Sequence, residues 1–581
     1  MYSLRQNYTW SFAMELSSKN VRTKHLGHLG LVASTIKDIG LIEKIDARIT
    51  LDKNKGGIVT YGKRVAAMVL NGLGFINSRL YMSQMFFHDK PVSALLGEEI
   101  SAEHLNDDCL GRCLDEISKY GTTRLFSEVA LEIAQEQGLF SKSLHLDTTS
   151  LTLYGEYEKA DEKEVGPTPC LGYSKAHRPD LKQVVLSMVQ MGPAHIPVWM
   201  EDLSGNSSDK KSFHETVRKM EAFYSDIKSA PDGLCFVVDS AFYNEAKLDE
   251  LSSVNWITRV PVLSKKSKEY HNKASEEYIW HKTFDVRYQI AEIEACNPMQ
   301  RWVLVQSEPG YQREYKTLCK RMSKAYEALV KKVWHLGNQV FGCEKDATLE
   351  LSKMTKKLKY FDILSEMTEI PCHSNKGRPK ADAEPSGYRY KISATIVSNL
   401  EKVHARMNSL GRFILGTNIL NKDQISNEEI LKQYKEQTHV EAGFKFIKND
   451  TFELDNVFLK SQRRIGGLMM VMTLCLMVYN FAQHKLRSYL KTHNEYLPNQ
   501  LGKPIQNPTS QWIFAIMTTI AVVEIKQGEK LRWIITNVHP LHQKIISFFG
   551  NNAKKIYDIP IDLQPDDVKL NQKNWLAWCG M

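Results

Sequence analysis

The sequence predicts an α/β protein: a mixed sheet built in the order βββαβαβ and completed by a helix. A mixed α/β insertion interrupts that core, and a helical N-terminal domain precedes it. Three observations carry this expectation. Apolar residues recur at helical spacing up to about residue 135. From Ser143 the texture changes to short runs rich in Val, Ile and Leu, bounded by polar loops. The next strong helix signal waits until Ser426, so residues 261–425 stand between sheet and helix as an insertion. At 581 residues the chain exceeds a single hydrophobic core, and 43% hydrophobic with 25% charged residues describes a globular protein.

Residues 1–135 make the N-terminal domain. Leu29–Ile36, Val65–Leu73 and Leu125–Ile133 carry its periodicity, and Lys53-Asn54-Lys55-Gly56-Gly57 breaks it. A helix-turn-helix-like portion that binds a DNA end and a purely structural cap both fit this pattern. The core is expected in two parts, 140–260 and 426–490. Its first strand is Ser143–Thr149, with Asp147 inside it; Val184–Val189 is the second and Ile196–Met200 the third, where Pro197 favours an edge or a strand start. Gly205-Asn206-Ser207-Ser208-Asp209 supplies N-cap chemistry for a helix towards Tyr224. Leu234–Val238 is the fourth strand and ends at Asp239; a short helix around Glu245–Leu251 and the strand Trp256–Val260 follow. This order is that of an RNase H-like sheet. Its first and fourth strands lie side by side, so Asp147 and Asp239 become neighbours across 92 residues of chain.

The insertion has strand signals at Arg301–Val305, Tyr388–Ile392 and Phe413–Leu415. Ser426-Asn427-Glu428-Glu429 is a capping box that opens the helix carrying Glu441. The C-terminal region, 491–581, holds an apolar helix near Trp512–Thr519 and a hairpin of Val522–Ile525 with Leu531–Ile535, turning at Gly528.

Net charge is +9 and the pI near 8.8, but the excess is localised. Between Tyr311 and Tyr360 there are twelve Lys/Arg against five Asp/Glu. Arg313, Lys316, Lys320, Lys324 and Lys331 repeat at three-, four- and seven-residue steps, a cationic stripe that suits a phosphate backbone or a solvated helix face. Asn375-Lys376-Gly377-Arg378-Pro379-Lys380 reads either as a minor-groove loop or as plain surface. The ten cysteines form no CxxC pair, which points to reduced thiols of a cytoplasmic protein. The N-terminus lacks the apolar core of a secretion signal. The longest apolar segment, Ile465–Tyr479, falls short of the ~20 residues of a membrane span and reads as a buried helix, so no membrane partner is expected. Gly72-Leu73-Gly74 lacks a third glycine and no P-loop is present, so no nucleotide cofactor is expected. His25 and His28 have no carboxylate partner at useful spacing and read as structural.

Asp147, Asp239 and Glu441 lie on three different predicted elements. Carboxylates are what two hard Mg²⁺ or Mn²⁺ ions require, and two such ions about 4 Å apart can clamp both oxygens of an in-line phosphoryl displacement. Tyr434, Glu441 and Lys448 are spaced by seven and seven, close to one helix face, and Gln437, Thr438 and Lys445 fill the same stripe. These are phosphate-positioning groups; the plain alternative is an amphipathic helix that buries Phe444 and Ile447.

Through these residues the chain resembles the DDE transposases of bacterial insertion sequences, in the branch marked by Tyr-x2-Arg-x3-Glu-x6-Lys. Tyr434, Glu441 and Lys448 match; Gln437 stands in the arginine position, where a neutral amide cannot make a charged bidentate phosphate contact. Lys435 or Lys445 could compensate. His145-Leu146-Asp147-Thr148-Thr149 and Asp239-Ser240-Ala241-Phe242 are similar to the two aspartate motifs, and Gly172–Leu181, with Lys175 and Arg178, to a loop of this group. The resemblance covers about 140–485 and implies that Asp147, Asp239 and Glu441 are catalytic and bind two Mg²⁺ (or Mn²⁺). It implies DNA contacts by Tyr434, Gln437, Lys445, Lys448, Lys175 and Arg178. It further implies cleavage at element ends, strand transfer by the 3′-hydroxyl, and a homodimer on double-stranded DNA (terminal inverted repeats and target). Members of this branch can pass through a hairpinned DNA end, aided by an aromatic residue of the insertion that stacks on a flipped base; Trp302 and Trp334 are candidates, both also readable as core residues, and neither is assigned. Two other readings stay open: a stand-alone RNase H-like metal nuclease, and a catalytically silent DNA-binding protein derived from a transposase.

Overall fold

The computed structural model describes residues 21–563 and 565, apart from 52–56, 76–81, 155–156, 158–164, 175–177, 226–232, 245–247, 249–253, 357, 375–383, 449–458, 460 and 528–529. Lys175, the loop 375–380, Gly528 and nearly all of the short helix expected around Glu245–Leu251 lie outside the described residues.

Along the chain, β1 (Val21–His25) precedes α1 (Leu29–Asp38), α2 (Tyr61–Gly72), α3 (Asp107–Tyr120) and α4 (Thr122–Glu136). Then come β2 (Ser143–Thr152), β3 (Gln183–Met191), β4 (Ile196–Ser204), α5 (Asp209–Ser225), β5 (Cys235–Val238) and β6 (Asn255–Val260). The middle of the chain supplies β7 (His281–Lys282), β8 (Tyr288–Ile293), β9 (Arg301–Ser307), α6 (Glu308–Asn338), β10 (Val340–Phe341) and α7 (Glu344–Thr355). After β11 (Phe361–Cys372), β12 (Gly387–Ser398) and β13 (Arg412–Thr417) follow α8 (Asn427–Glu436), α9 (Thr438–Ile447), α10 (Gln462–Thr492), β14 (Ala521–Gln527) and β15 (Lys530–Thr536). The fold is α/β, and the chain sorts into two units, Met1–Phe242 with Glu436–Met581, and Tyr243–Lys435.

In the first unit β2 is the centre of a mixed sheet. It pairs antiparallel with β3, which pairs with β4, and it pairs parallel with β5. The first and fourth strands of the expected order therefore do lie side by side. β3 is buried along its whole length, which is why Val184–Val189 reads as a continuous apolar run and not as an alternation. Helices cover the sheet: α4 and α10 pack on β4, and α9 packs on β2.

α10 is the spine of this unit. It spans 31 residues, and by length and composition it is the one described helix that could cross a membrane, yet 83% of its most apolar window is buried inside the protein. A helix apolar all round is a core helix when other elements surround it, and α1, α2, α3 and α4 gather on this one. It runs well beyond the expected Ile465–Tyr479, because nothing from Asn480 to Thr492 breaks it: that stretch has neither Gly nor Pro. Gly467 permits the closest crossing, since a Cβ there would stand 3.1–3.2 Å from the Leu114 backbone of α3. One turn away Arg464 grips Asp115 through two hydrogen bonds, 3.0 and 2.8 Å.

The expected C-terminal hairpin is present as β14–β15, and β1 adds to it antiparallel, so the first described strand and the last two share one small sheet. β1 (Val-Arg-Thr-Lys-His) is too short and too polar to announce itself, and its partner makes it a strand.

The second unit has an antiparallel sheet in the order β6-β13-β9-β8-β7, with Val260, Ala291, Trp302, Leu304 and Ile414 in its core. It also has a ribbon, β10-β12-β11, on which α6 and α7 pack. Trp302 is thus a core residue, donating its Nε1–H to Gln300 Oε1 at 3.1 Å, whereas Trp334 on α6 is 64% exposed. β8 and β11 were absent from the sequence expectation. β11 is mostly exposed on both faces, so no apolar alternation marks it, and its twelve-residue register with β12 supplies the order instead.

The capping box opens α8 as expected, with Glu429 N–H donating to Ser426 Oγ at 3.1 Å. The single helix expected from Tyr434 to Lys448 is corrected. It divides at Gln437, which ends α8 and precedes α9 while keeping helical angles (φ −57°, ψ −24°). The Glu441 N–H reaches back to Gln437 only at 3.5 Å, whereas Val440 takes a tighter 3.0 Å bond to the same carbonyl. Tyr434 therefore belongs to one helix, and Glu441 and Lys448 to the next.

Candidate active site

The strand register brings two of the three acids together. β2 and β5 pair in parallel, with Leu144 opposite Phe236, His145 opposite Val237 and Leu146 opposite Val238. Asp147 and Asp239 each follow the last of these paired residues, so both acids leave the same end of the parallel pairing, where sheets hold neighbouring strands about 4.8 Å apart. Residues in parallel register point to the same face, so both carboxylates stand on the face that carries His145. Each carboxylate accepts from the next amide along the chain: Thr148 N–H donates to Asp147 Oδ1 at 2.7 Å within β2, and Ser240 N–H to Asp239 Oδ1 at 2.6 Å at the turn that follows β5. Asp147 is half-buried and Asp239, just past the strand end, is exposed.

α9 lies over that face. Met188 and Gln190 of β3 stand opposite Asp147 and His145 in the antiparallel register, and both reach Gly443 of α9. A Cβ at Gly443 would be 2.6 Å from Gln190 Nε2 and 3.0 Å from Leu476 Cδ2 of α10, so the helix sits as close as a bare backbone allows. Val440, Gly443, Phe444 and Ile447 form its inner face. At 100° per residue Glu441 falls roughly 110° from the middle of that face, on the exposed flank beside Lys448 and Lys445. Among the described residues no three His, Cys, Asp or Glu side chains stand close enough to share a metal ion. The structure thus assembles the aspartate pair and leaves Glu441 on the flank of the covering helix.

The other expected contacts are scattered. Gln437 is buried at the α8–α9 junction and Lys445 is exposed. Lys448 closes α9 as its C-cap. Tyr434 rests against the Phe413 ring at 6.1 Å. Arg178 is exposed and held by Asp180 through two hydrogen bonds, 2.9 and 2.7 Å. Lys435 is no spare cation for the Gln437 position: Asp285 holds it at 3.3 Å and it lies 3.5 Å over the Tyr288 ring.

Sequence reasoning missed a histidine group beneath α9. His195, in the β3–β4 turn, stacks on His439 of α9 at 3.7 Å, and buried His145 stands 3.8 Å from Glu436 while accepting or donating a 3.1 Å bond with Ser143. His145 Nδ1 and both amide atoms of Gln190 have no hydrogen-bond partner among the described residues. The nearness of His145 to the first aspartate was visible, but its two partners come from elements 50 and 294 residues away.

Burial pulls His195 down to about 3, with His439 adding to it, and pulls His28 down to about 4 against the bond that its Nε2 makes to Leu73 O at 2.7 Å. Both are neutral in the fold and ordinary in the unfolded chain, so the unfolded state binds more protons between those values and about 6.5. Their stabilising contribution is complete above about pH 6.5 and is lost as pH falls towards 4. The urea midpoint is expected to drop from pH 7.5 to pH 5, and His195→Gln to flatten that dependence; a midpoint that ignores pH over this range contradicts neutral histidines.

Residues 144–478 match the Transposase DDE domain family, and residues 21–131 match a Domain of unknown function (DUF4277). The first match spans more than half of the chain, and the chain belongs to the transposase DDE domain family. It is a DDE transposase. Among solved structures it is similar to piggyBac transposase in a synaptic complex with hairpin DNA, at 11% identity over 84% of this chain and 88% of that chain, with a TM-score of 0.25. No curated protein matches the sequence.

Proposed function

We propose that this protein is the transposase of a bacterial insertion sequence, cutting double-stranded DNA at the element's terminal inverted repeats and joining the freed 3′-hydroxyl to target DNA. The observation that carries the reading is that Asp147 and Asp239 each directly follow the last paired residues, Leu146 and Val238, of two adjacent parallel strands, inside the family-matched segment. The strand order and the β2–β5 pairing support an RNase H-like core.

The donor set fits a pair of hard divalent cations: two carboxylates side by side, and a third on the flank of the helix that covers them. Asp147, Asp239 and Glu441 would hold two Mg²⁺ (or Mn²⁺), which when bound supply charge stabilisation for in-line phosphoryl displacement. The chain's own part is placement. The backbone amides of Thr148 and Ser240 fix one oxygen of each aspartate, and Gly443 sets the height of the Glu441 helix above β3. Lys445 and Lys448, with Lys175 and Arg178, contact phosphate and hold the scissile strand; Arg178 first has to leave Asp180. Transesterification exchanges one phosphodiester for another, so no nucleotide is consumed. The working form is a homodimer that pairs two DNA ends in the cytoplasm.

The test uses a duplex carrying the inverted repeats that flank the gene, a supercoiled target plasmid and Mg²⁺. The expected result is a 3′-hydroxyl at the element boundary and its covalent joining to the plasmid. Cleavage without joining indicates a stand-alone nuclease. Binding with neither reaction indicates a silent DNA-binding descendant.

A further inference from the structure

α6 divides its charge and its apolar surface cleanly. Leu318, Leu329 and Leu336 are its buried side chains, and they fall on one face. Arg313, Lys316, Lys320, Lys324 and Lys331 lie within roughly 80° of one another on the opposite face, and all five are exposed. None of these five side chains makes an ion pair or a hydrogen bond among the described residues. Glu327 is the only acid within their stripe, and Trp334, 64% exposed, borders its C-terminal end.

A merely solvated helix interleaves opposite charges at three- and four-residue steps, as α3 does with Asp108–Arg112 and Glu116–Lys119 and α7 with Glu350–Lys353. α6 instead repeats like charges at the four-residue step, Lys316 to Lys320 to Lys324, which is a disfavoured spacing for an isolated helix. The spacing does suit a polyanion. Four residues advance about 6 Å along a helix, close to the roughly 6.8 Å that one DNA strand rises over two phosphates. From Arg313 to Lys331 the stripe runs about 27 Å, the length of about eight base pairs.

We propose that the outer face of α6 is a sequence-independent docking surface for the phosphate backbone of duplex DNA, separate from the contacts assigned above to the acid-bearing segment. The inference rests on the reading of this protein as an enzyme acting on DNA. Cations on a regular helix carry no base readout, so this surface contributes affinity and orientation on any sequence, target DNA included.

The experiment measures binding of the full chain to a 40-base-pair duplex of arbitrary sequence, by fluorescence anisotropy, at about 50 to 200 mM KCl. Three lost phosphate contacts in the K316Q/K320Q/K324Q variant are expected to make the log–log salt slope shallower by about 2.7 and to weaken binding roughly tenfold or more at 100 mM. E327Q, which removes the acid inside the stripe, is expected to bind more tightly than the parent and keeps the idea testable if the triple variant folds poorly. Parent binding with an unchanged slope in the triple variant, or with unchanged affinity in E327Q, overturns the α6 surface and leaves the active-site reading intact. A parent chain that binds no duplex at any salt overturns both.

Discussion

Asp239→Asn is expected to leave a folded protein that still holds DNA and no longer cuts it. The substitution keeps an oxygen in place to accept the Ser240 amide, so the turn after β5 is preserved and only the charge is lost. The site is exposed, and a surface change of this kind moves stability by no more than about 0.5 kcal/mol. A cation beside Asp147, in contrast, loses one of two neighbouring carboxylates. Outer-shell partners of a metal are already worth about 10–100-fold, so under the function proposed above, in which Asp239 is a direct ligand, its loss should lower Mg²⁺-dependent cleavage by more than ~100-fold. Asp147→Asn should do the same, with a somewhat larger stability effect because its side chain is half-buried. Cleavage rates and duplex affinity, measured on the same preparations, decide the matter. Cleavage at the parental rate by either variant removes the aspartate pair from the chemistry.

Gly443→Val is expected to separate folding from catalysis in a different way. In a free helix, replacing glycine brings a gain of some tenths of a kcal/mol, even with a β-branched side chain. Here the new branch enters a gap already closed by Gln190 and by Leu476 of α10. Overpacking of this kind costs about 1–3 kcal/mol, and the cheapest relief is for α9 to lift from β3. Lifting α9 moves Glu441, so cleavage should fall by more than the stability change alone explains, while the Arg464–Asp115 tie, which lies outside the contact, persists. A variant that is more stable than the parent, or one that cuts at the parental rate, shows that the helix does not depend on this contact.

What could be read from the residues divides along physical lines. The strands of the first unit were legible because they are buried between helices and therefore near-continuously apolar; β3 is the clearest case. The neighbourhood of Asp147 and Asp239 followed from element order alone, since a first and a fourth strand in that order lie side by side. The break at Gln437 was not legible, because its backbone angles remain helical and only the hydrogen-bond pattern changes. The histidine group was hidden for another reason: it is made by long-range packing, with His195 held in a tight turn at φ +49° and His439 delivered by α9. β11 was missed because a ribbon exposed on both faces carries no apolar alternation, and β1 because a single valine followed by four polar residues becomes a strand only through its partner.

The first unit is assembled from two stretches of chain, and this sets a timetable for its synthesis. β5 leaves the ribosome about 200 residues before α9, which at roughly 5–20 residues per second is a delay of about 10–40 s. During that interval β2 and β3 have been made, but α9 and α10, which cover the sheet, have not. A premature stop or a ribosome stalled in the intervening segment therefore yields a product with uncovered apolar strands and no glutamate, fit for degradation and not for cutting a chromosome. Discontinuity in the chain thus acts as a completeness check: the sheet that carries the aspartate pair stays uncovered until translation has passed α9 and α10.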